Sequence, residues 1–189
     1  MSFSLDHRTV LITGASSGIG AQLAKSCAAA GANVILAARR TDRVAALATA
    51  IGDKALAVAM DVTDEASTIA AFNAAEARFG VVDTIIANAG TAIAARATEV
   101  PISVIQSTLN TNVTGAFLTA REGAKRLMAS GSRERANGRI ILIGSITAMG
   151  TGDGDSVYAA SKAAVAHMGR LLAREWVRMG INVNVIQPG

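Results

Sequence analysis

The alternation of short apolar runs with longer alanine-rich stretches constrains the fold more than any other feature of this sequence. The apolar runs, many of them rich in β-branched residues, are predicted strands at 9–13, 33–37, 55–59, 83–87, 139–144 and 182–186. Predicted helices lie between them at 18–30, 41–50, 64–79, 101–129 and 156–179, and Thr63 is predicted to begin the third. Strands this short and apolar are typical of a sheet covered on both faces. The pattern therefore predicts an α/β fold: a doubly wound parallel sheet, Rossmann-like, with helices on both faces.

Composition limits the classes of protein to which the chain can belong. Its 189 residues contain no Ser/Pro-rich linker, so a single domain spanning 1–189 is predicted. Aromatic residues make up 3%, so the core must be built from Ala, Val, Ile and Leu. Cys27 is the single cysteine, which excludes an intrachain disulfide and a cysteine-based zinc site. No apolar run approaches the ~20 residues of a membrane span and no signal-peptide pattern opens the chain, so we expect a cytoplasmic protein without a membrane partner.

The net charge of +4 does not indicate a nucleic-acid partner. The densest basic segment, SRERANGR at 132–139, is interrupted by Glu134 and lies in a predicted loop. Nucleic-acid binders usually concentrate basic residues and offer aromatic side chains for stacking. His7 and His167 lack the spacing of metal ligands, so no metal site is expected either.

The first predicted strand runs directly into TGASSGIG, at 13–20. A strand, a glycine-rich turn and a helix start form an anion site, because backbone N–H groups can approach a pyrophosphate and the helix dipole favours negative charge. The spacing is G-x-x-x-G-x-G, and it lacks the Lys-Ser/Thr ending of a triphosphate loop. A tight turn without a ligand is the alternative, but placement after the first strand favours a dinucleotide. The residues expected to contact the dinucleotide are Gly14, Ser16, Ser17, Gly18, Ile19 and Gly20.

The ends of the second and third strands bear on the choice of dinucleotide. Ala38 stands where an acidic residue would bind the adenosine ribose of NAD, and Arg39 and Arg40 follow it. A guanidinium can bind a 2′-phosphate bidentately, so this end favours NADP, although two surface arginines at a helix start are the alternative. Asp61, followed by Val62, could accept a hydrogen bond from the adenine amino group or help to cap the next helix; we favour the adenine.

Six short motifs together resemble the short-chain dehydrogenase/reductase family over the whole chain. They are TGASSGIG, NAG at 88–90, NVTG at 112–115, Ser145, YAASK at 158–162 and PG at 188–189. Each motif alone is weak evidence for the family, but the order and spacing of all six together are specific to it.

The resemblance implies a catalytic set of Asn112, Ser145, Tyr158 and Lys162. Tyr158 would donate its phenolic proton to the carbonyl oxygen as hydride arrives from the nicotinamide. Tyr158 and Lys162 lie four residues apart, which places them on one helix face, so the ammonium would favour the phenolate and hold the nicotinamide ribose. Ser145 would orient the substrate oxygen, and Asn112 would fix a water that links Lys162 to solvent. Asn110 lacks the family spacing to the glycine of NVTG and is not assigned.

The resemblance also implies further cofactor contacts, and the sequence departs from the family pattern at two positions. Asn88, Ala89 and Gly90 would line the cofactor, and Pro188–Gly189 would touch the nicotinamide carboxamide. Ala87 stands where the family more often has a second Asn, and Ser17 stands where many NADP-preferring relatives carry a basic residue. Arg39, helped by Arg40 and Ser16, would therefore bind the 2′-phosphate. NADPH is the expected cofactor, with NAD as the alternative.

The expected activity is NADP(H)-dependent reduction of a ketone, with 3-oxoacyl thioesters as one class, to a secondary alcohol. The alternatives are an NAD-dependent sugar, polyol or cyclic-alcohol dehydrogenase and, more remotely, a non-catalytic dinucleotide sensor. Family members pair the helices at 101–129 and 156–179 between subunits, so a homodimer or homotetramer is expected. The resemblance also implies a substrate lid, a further helix and a seventh strand beyond Gly189, which this sequence does not contain.

Overall fold

A computed structural model describes residues 4–150 and 152–189 and contains one parallel sheet. Its strands are β1 (Thr9–Thr13), β2 (Asn33–Ala38), β3 (Ala55–Ala59), β4 (Thr84–Ala87), β5 (Gly138–Ile143) and β6 (Ile181–Ile186). They are hydrogen-bonded in the order β3-β2-β1-β4-β5-β6. Each neighbouring pair is parallel, so the predicted doubly wound α/β fold is confirmed.

Helices follow the strands as predicted, with two refinements and one correction: the short helix at Ser132–Arg135 lies in the segment 132–139, where a loop was predicted. The main helices are α1 (Gly18–Ala29), α2 (Thr41–Ile51), α3 (Glu65–Phe79), α4 (Ile102–Leu109), α5 (Gly115–Ala129), the short α6 (Ser132–Arg135) and α7 (Ser156–Trp176). The predicted helix at 101–129 is α4 and α5 joined by a π-helical turn at Asn110–Thr114. The start predicted at Thr63 is wrong: Asp64 caps α3, because its carboxylate accepts from the backbone N–H groups of Ala66 and Ser67.

Two apolar layers cover the faces of the sheet. On β1, Val10 and Ile12 join the cluster that includes Ala24 of α1 and Val44 of α2, whereas Leu11 joins the cluster on the opposite face. That second cluster contains residues of α3, α5 and α7. The strict alternation follows from the two-residue period of a strand. Both faces are therefore covered at the inner strands β2, β1, β4 and β5, as the short apolar runs predicted, whereas the edge strands β3 and β6 are partly exposed.

The order of the strands positions a crevice at their carboxyl ends. β1 lies between β2 and β4, so the chain leaves β1 towards one side of the sheet and later returns to its other side. Ligands of open α/β sheets bind outside the carboxyl ends of the strands where this reversal occurs. No helix in the described ranges is both long and apolar enough to cross a membrane.

Candidate functional site

The glycine-rich turn at the end of β1 leaves an open space in front of α1. Gly14 has a φ of +68°, and a Cβ added there would lie 2.8 Å from the Cα of Ala89, so a side chain has no room. Gly18 has a φ of +54°, but a Cβ there would meet nothing within 4 Å. The first glycine therefore allows close backbone packing, and the second borders unfilled space where backbone N–H groups of the α1 N-terminus are available.

Thr13 and Asn88 join the ends of β1 and β4. The Thr13 hydroxyl oxygen accepts from the backbone N–H groups of Asn88 and Ala89, each at 3.0 Å. The Asn88 side-chain amide donates in return to the Thr13 carbonyl at 2.9 Å. These bonds hold the glycine-rich turn against the segment at 88–90. Sequence reasoning did not assign this role to Thr13, although its place at the start of the motif offered a signal.

A cavity of about 370 Å³ extends from the glycine-rich turn to the ends of β2 and β3. Its lining contains most of the residues predicted to bind the dinucleotide: Gly14, Ser16, Ser17, Ile19, Arg39, Arg40, Asp61, Val62, Asn88, Ala89 and Gly90. Gly20 is buried beneath the turn, where an added Cβ would lie 2.5 Å from the Gly14 carbonyl oxygen. The structure thus brings together residues from the ends of four strands, β1 to β4, that lie far apart in the sequence.

The two arginines after β2 have different surroundings. The Arg40 guanidinium donates to the hydroxyl of Ser16 at 2.7 and 3.1 Å and to that of Ser17 at 2.7 Å. Arg39 is exposed, and within the described part of the chain its side chain makes no hydrogen bond. Arg40 is therefore attached to the glycine-rich turn, whereas the Arg39 guanidinium keeps all its donors available.

Asp61 forms a turn with Thr63 at the edge of this cavity. Its Oδ1 accepts from the backbone N–H of Thr63 at 3.0 Å and from the Thr63 hydroxyl at 2.8 Å. These two hydrogen bonds hold the pKa of the Asp61 carboxyl below its usual value, with a smaller contribution from the charge of Arg39. The carboxylate therefore stays ionised, and its Oδ2 accepts no hydrogen bond from the described residues, so it can accept one from a ligand. Capping of α3 is the function of Asp64, not of Asp61.

A second cavity of about 330 Å³ adjoins the first and is lined by three of the four predicted catalytic residues, Ser145, Tyr158 and Lys162, whereas Asn112 is not in its lining. It shares Ile19, Asn88 and Gly90 with the first cavity, so the two form one continuous cleft. Its other lining residues are Thr91, Ala92, Ile143, Gly144, Ser145, Tyr158, Lys162, Pro188 and Gly189. Predicted residues from the segment after β5, from α7 and from the segment after β6 therefore meet at one place.

Lys162 is a buried cation next to a phenol. Its side chain is 5% exposed, its Nζ lies 5.7 Å from the centroid of the Tyr158 ring, and the Nζ donates to the Ile143 carbonyl at 2.8 Å. Burial lowers the pKa of the Lys162 ammonium from its ordinary value, because desolvation penalises the charged form. The carbonyl at the end of β5 supplies one hydrogen bond that offsets this penalty.

Asn112 connects two sides of the cleft from within the π-helical turn. Its amide nitrogen donates to the Thr91 carbonyl and to the Ser161 hydroxyl, both at 2.9 Å, and its oxygen accepts from the Thr91 N–H at 2.8 Å. Ser161 in turn donates to the Tyr158 carbonyl at 2.6 Å. The segment after β4 is thus attached to the turn of α7 that carries Tyr158. Thr91 and Ser161 were missed by sequence reasoning, because only the fold brings them to Asn112.

Ser145 lies two residues after β5, and its side chain is held by one neighbour, Thr147. The residue is 8% exposed, and its hydroxyl oxygen accepts from the backbone N–H of Thr147 at 3.2 Å and lies 3.0 Å from the Thr147 hydroxyl. It caps the short 3₁₀ turn at Ile146–Ala148. No group of three or more potential metal ligands occurs in residues 4–150 and 152–189.

Comparison with known proteins identifies close relatives over nearly the whole chain. Residues 8–189 match the family model described as short chain dehydrogenase. D-threitol dehydrogenase of Mycolicibacterium smegmatis is 36% identical over 189 residues, which cover 98% of this chain and 71% of that protein.

Two solved structures have the same fold. The 3-ketoacyl-(acyl-carrier-protein) reductase from Brucella melitensis complexed with NADH superposes with a TM-score of 0.94 at 33% identity, covering 98% of this chain and 76% of that one. The gluconate 5-dehydrogenase from Burkholderia cenocepacia J2315 in complex with NADP and tartrate gives a TM-score of 0.91 at 32% identity, covering 100% and 73%.

Replacing Asn112 should lower the stability of the protein, because it removes hydrogen bonds that join two sides of the cleft. Asn112→Ala leaves the N–H and carbonyl of Thr91 and the Ser161 hydroxyl without this partner, so we expect the free energy of unfolding to fall by about 1–3 kcal/mol. Asn110→Ala is the matched control, because Asn110 lies in the same turn, is exposed and has no side-chain hydrogen bond to the described residues. Urea denaturation of both variants measures the difference, and equal losses would contradict the assignment.

Proposed function

Because the chain belongs to the short-chain dehydrogenase/reductase family, whose NAD(P)-dependent enzymes act on alcohol and ketone groups, we propose that it reduces a ketone to a secondary alcohol with NADPH. The proposed substrates include 3-oxoacyl thioesters. One observation carries the proposal: Ser145, Tyr158 and Lys162 line a cavity continuous with the glycine-rich cleft. A proton donor therefore lies beside a place where a dinucleotide fits.

The described residues fit a dinucleotide cofactor. The space in front of Gly18 suits a pyrophosphate, because a Cβ placed there would meet no atom of the described residues within 4 Å other than those of its chain neighbours and its own helix backbone. The free Oδ2 of Asp61 suits the adenine amino group. Pro188 and Gly189 line the catalytic end, where the nicotinamide would lie. Asn88, Ala89 and Gly90 form the wall between the two ends.

Side chains of this protein would donate the proton and stabilise the negative charge that develops on the carbonyl oxygen of the substrate. When bound, the cofactor supplies or accepts a hydride at the nicotinamide. Tyr158 donates its phenolic proton to the carbonyl oxygen. The Lys162 ammonium, 5.7 Å from the ring centroid, stabilises the phenolate that remains. Ser145 donates a hydrogen bond to the same oxygen and orients it.

The positively charged residues that follow β2 are the basis for proposing a preference for NADPH over NADH. Ala38 offers no carboxylate to a ribose 2′-hydroxyl, and the exposed Arg39 side chain, which makes no hydrogen bond to the described residues, can donate to a 2′-phosphate. Arg40 supports this indirectly, since its bonds to Ser16 and Ser17 stiffen the turn and place a second positive charge there. NADPH is therefore preferred over NADH in this proposal.

An NAD-dependent polyol or sugar dehydrogenase is the second candidate. It is favoured by the similarity to D-threitol dehydrogenase. Oxidation of polyols with NAD⁺ faster than reduction of any ketone with NADPH would select it. A sensor without turnover is disfavoured, because the full set of Asn112, Ser145, Tyr158 and Lys162 is present and assembled.

Replacing Tyr158 separates chemistry from binding. In assays that follow NADPH and, separately, NADH with a panel of ketones and 3-oxoacyl thioesters, Tyr158→Phe should lower kcat at least about 100-fold, because the proton donor is lost. The Kd for NADPH should stay within about twofold, since the ring and the glycine-rich turn remain. Loss of binding together with turnover would remove the catalytic assignment, and full activity would do so as well.

Replacing Arg39 tests the cofactor preference. Arg39→Asp removes a charge-assisted hydrogen bond to the 2′-phosphate and adds repulsion, so we expect NADPH to bind about 10- to 100-fold more weakly, with NADH little changed. Arg43→Asp is the matched control, because Arg43 is also exposed and the substitution makes the same change in net charge. Titration by intrinsic nucleotide fluorescence gives both constants. An unchanged preference in Arg39→Asp would refute the phosphate assignment.

The outer helices suggest self-association, and we expect a homodimer or homotetramer. Leu109 of α4, Phe117 of α5 and Leu171 of α7 are exposed, the last by 55%, and α4 packs beside α7. Apolar side chains exposed on neighbouring helices favour an interface. Light scattering should give at least twice the chain mass, and Leu171→Glu should shift the population towards monomer. A wild-type monomer would contradict the expectation.

A further inference from the structure

The hydrogen-bond capacity of Ser145 is limited by Thr147. A serine hydroxyl offers one hydrogen as donor and two lone pairs as acceptors. The backbone N–H of Thr147 occupies one lone pair of Ser145 at 3.2 Å, and the Thr147 hydroxyl lies 3.0 Å from the same oxygen. When the Thr147 hydroxyl also donates, both lone pairs of the Ser145 oxygen are occupied. Ser145 can then form a further hydrogen bond only as a donor, through its hydroxyl hydrogen.

The surroundings of Thr147 favour that direction of donation. Within residues 4–150 and 152–189, the Thr147 hydroxyl has no hydrogen-bond partner other than Ser145. Ser145 faces the cavity lined by Tyr158, whereas Thr147 is absent from its lining. A ketone oxygen in that cavity can only accept, so it takes the Ser145 hydrogen and Thr147 must donate to Ser145.

We propose that Thr147 is a positioning residue that makes Ser145 an obligatory donor to the substrate oxygen. This inference rests on the proposed ketone reduction. Thr147 Oγ1–H donates to Ser145 Oγ, and Ser145 Oγ–H donates to the carbonyl oxygen, forming a chain of two hydroxyl groups. Hydrogen bonds in such a chain polarise one another, so the second bond strengthens as negative charge develops on the oxygen. Thr147 touches neither the substrate nor the cofactor.

The hydrogen-bond chain from Thr147 through Ser145 has a consequence for catalysis that a merely structural contact lacks. Its benefit is larger in the transition state, where the oxygen carries more charge, than in the bound ketone. Removing the Thr147 hydroxyl therefore lowers kcat more than it raises KM. The benefit also depends on Ser145, because Thr147 acts only through that hydroxyl. A role in stabilising the 3₁₀ turn would not depend on Ser145 in this way.

Thr147→Val tests the inference, because valine keeps the branched shape and the backbone N–H and removes the hydroxyl. With a ketone reduced by the wild-type protein, we expect kcat to fall about 3- to 10-fold, the net value of one hydrogen bond, with KM and the Kd for NADPH within about twofold. Thr147→Ser keeps the hydroxyl and should restore kcat to within about twofold of the wild type. Thermal unfolding of each variant checks that the fold is intact.

A double-mutant cycle supplies the decisive comparison. In a Ser145→Ala background, Thr147→Val should have no further effect on kcat. An equal loss in both backgrounds, an unchanged kcat in Thr147→Val, or a failure of Thr147→Ser to restore activity would overturn the inference and leave ketone reduction intact. A wild-type protein that oxidises neither NADPH nor NADH with any ketone would instead overturn the proposed function, and the inference with it.

Discussion

The joining of β1 to β4 is the constraint on which the rest of the site depends. These strands are neighbours in the sheet but are separated by the whole of β2 and β3 in sequence. Three hydrogen bonds between Thr13 and the segment at 88–89 fix their carboxyl ends relative to each other. Because the glycine-rich turn leaves β1 and the cavity wall leaves β4, this contact sets the width of the cleft.

The end of the cleft that contains Tyr158 and Lys162 relies on polar groups buried in an aliphatic core. Asn112 is 1% exposed and Lys162 is 5% exposed, yet each has hydrogen-bond partners that offset the loss of water. The two residues and their partners come from four segments, namely the π-helical turn, α7, the segment after β4 and the end of β5. A network of this kind favours one arrangement of the four segments, because displacement of any one of them leaves a buried polar group unpaired. The stability of the fold and the geometry of the site are therefore linked.

Much of the fold follows from local pattern. The short apolar runs identified all six strands to within a residue or two, since a strand buried on both faces admits few polar residues. The starts of the predicted helices were also correct to within one residue, but the capping residue of α3 was not predicted. Asp64, not Thr63, caps α3, because the carboxylate of Asp64 reaches two N–H groups of the first turn. The π-helical turn at 110–114 also escaped prediction, because its wider turn leaves no signature in an apolar pattern.

The sequence by itself determined which chemical groups are present and where each lies along its own element: the glycines after β1, the arginines after β2, and Tyr158 and Lys162 on one face of α7. Local spacing is sufficient for these, because the periods of strand and helix are fixed. Only the tertiary structure decided the partners. Arg40 bonds to Ser16, Asn112 to Ser161, and Lys162 to the Ile143 carbonyl, across separations of 24, 49 and 19 residues. Such contacts depend on how helices pack on the sheet, and packing is set by the whole core together.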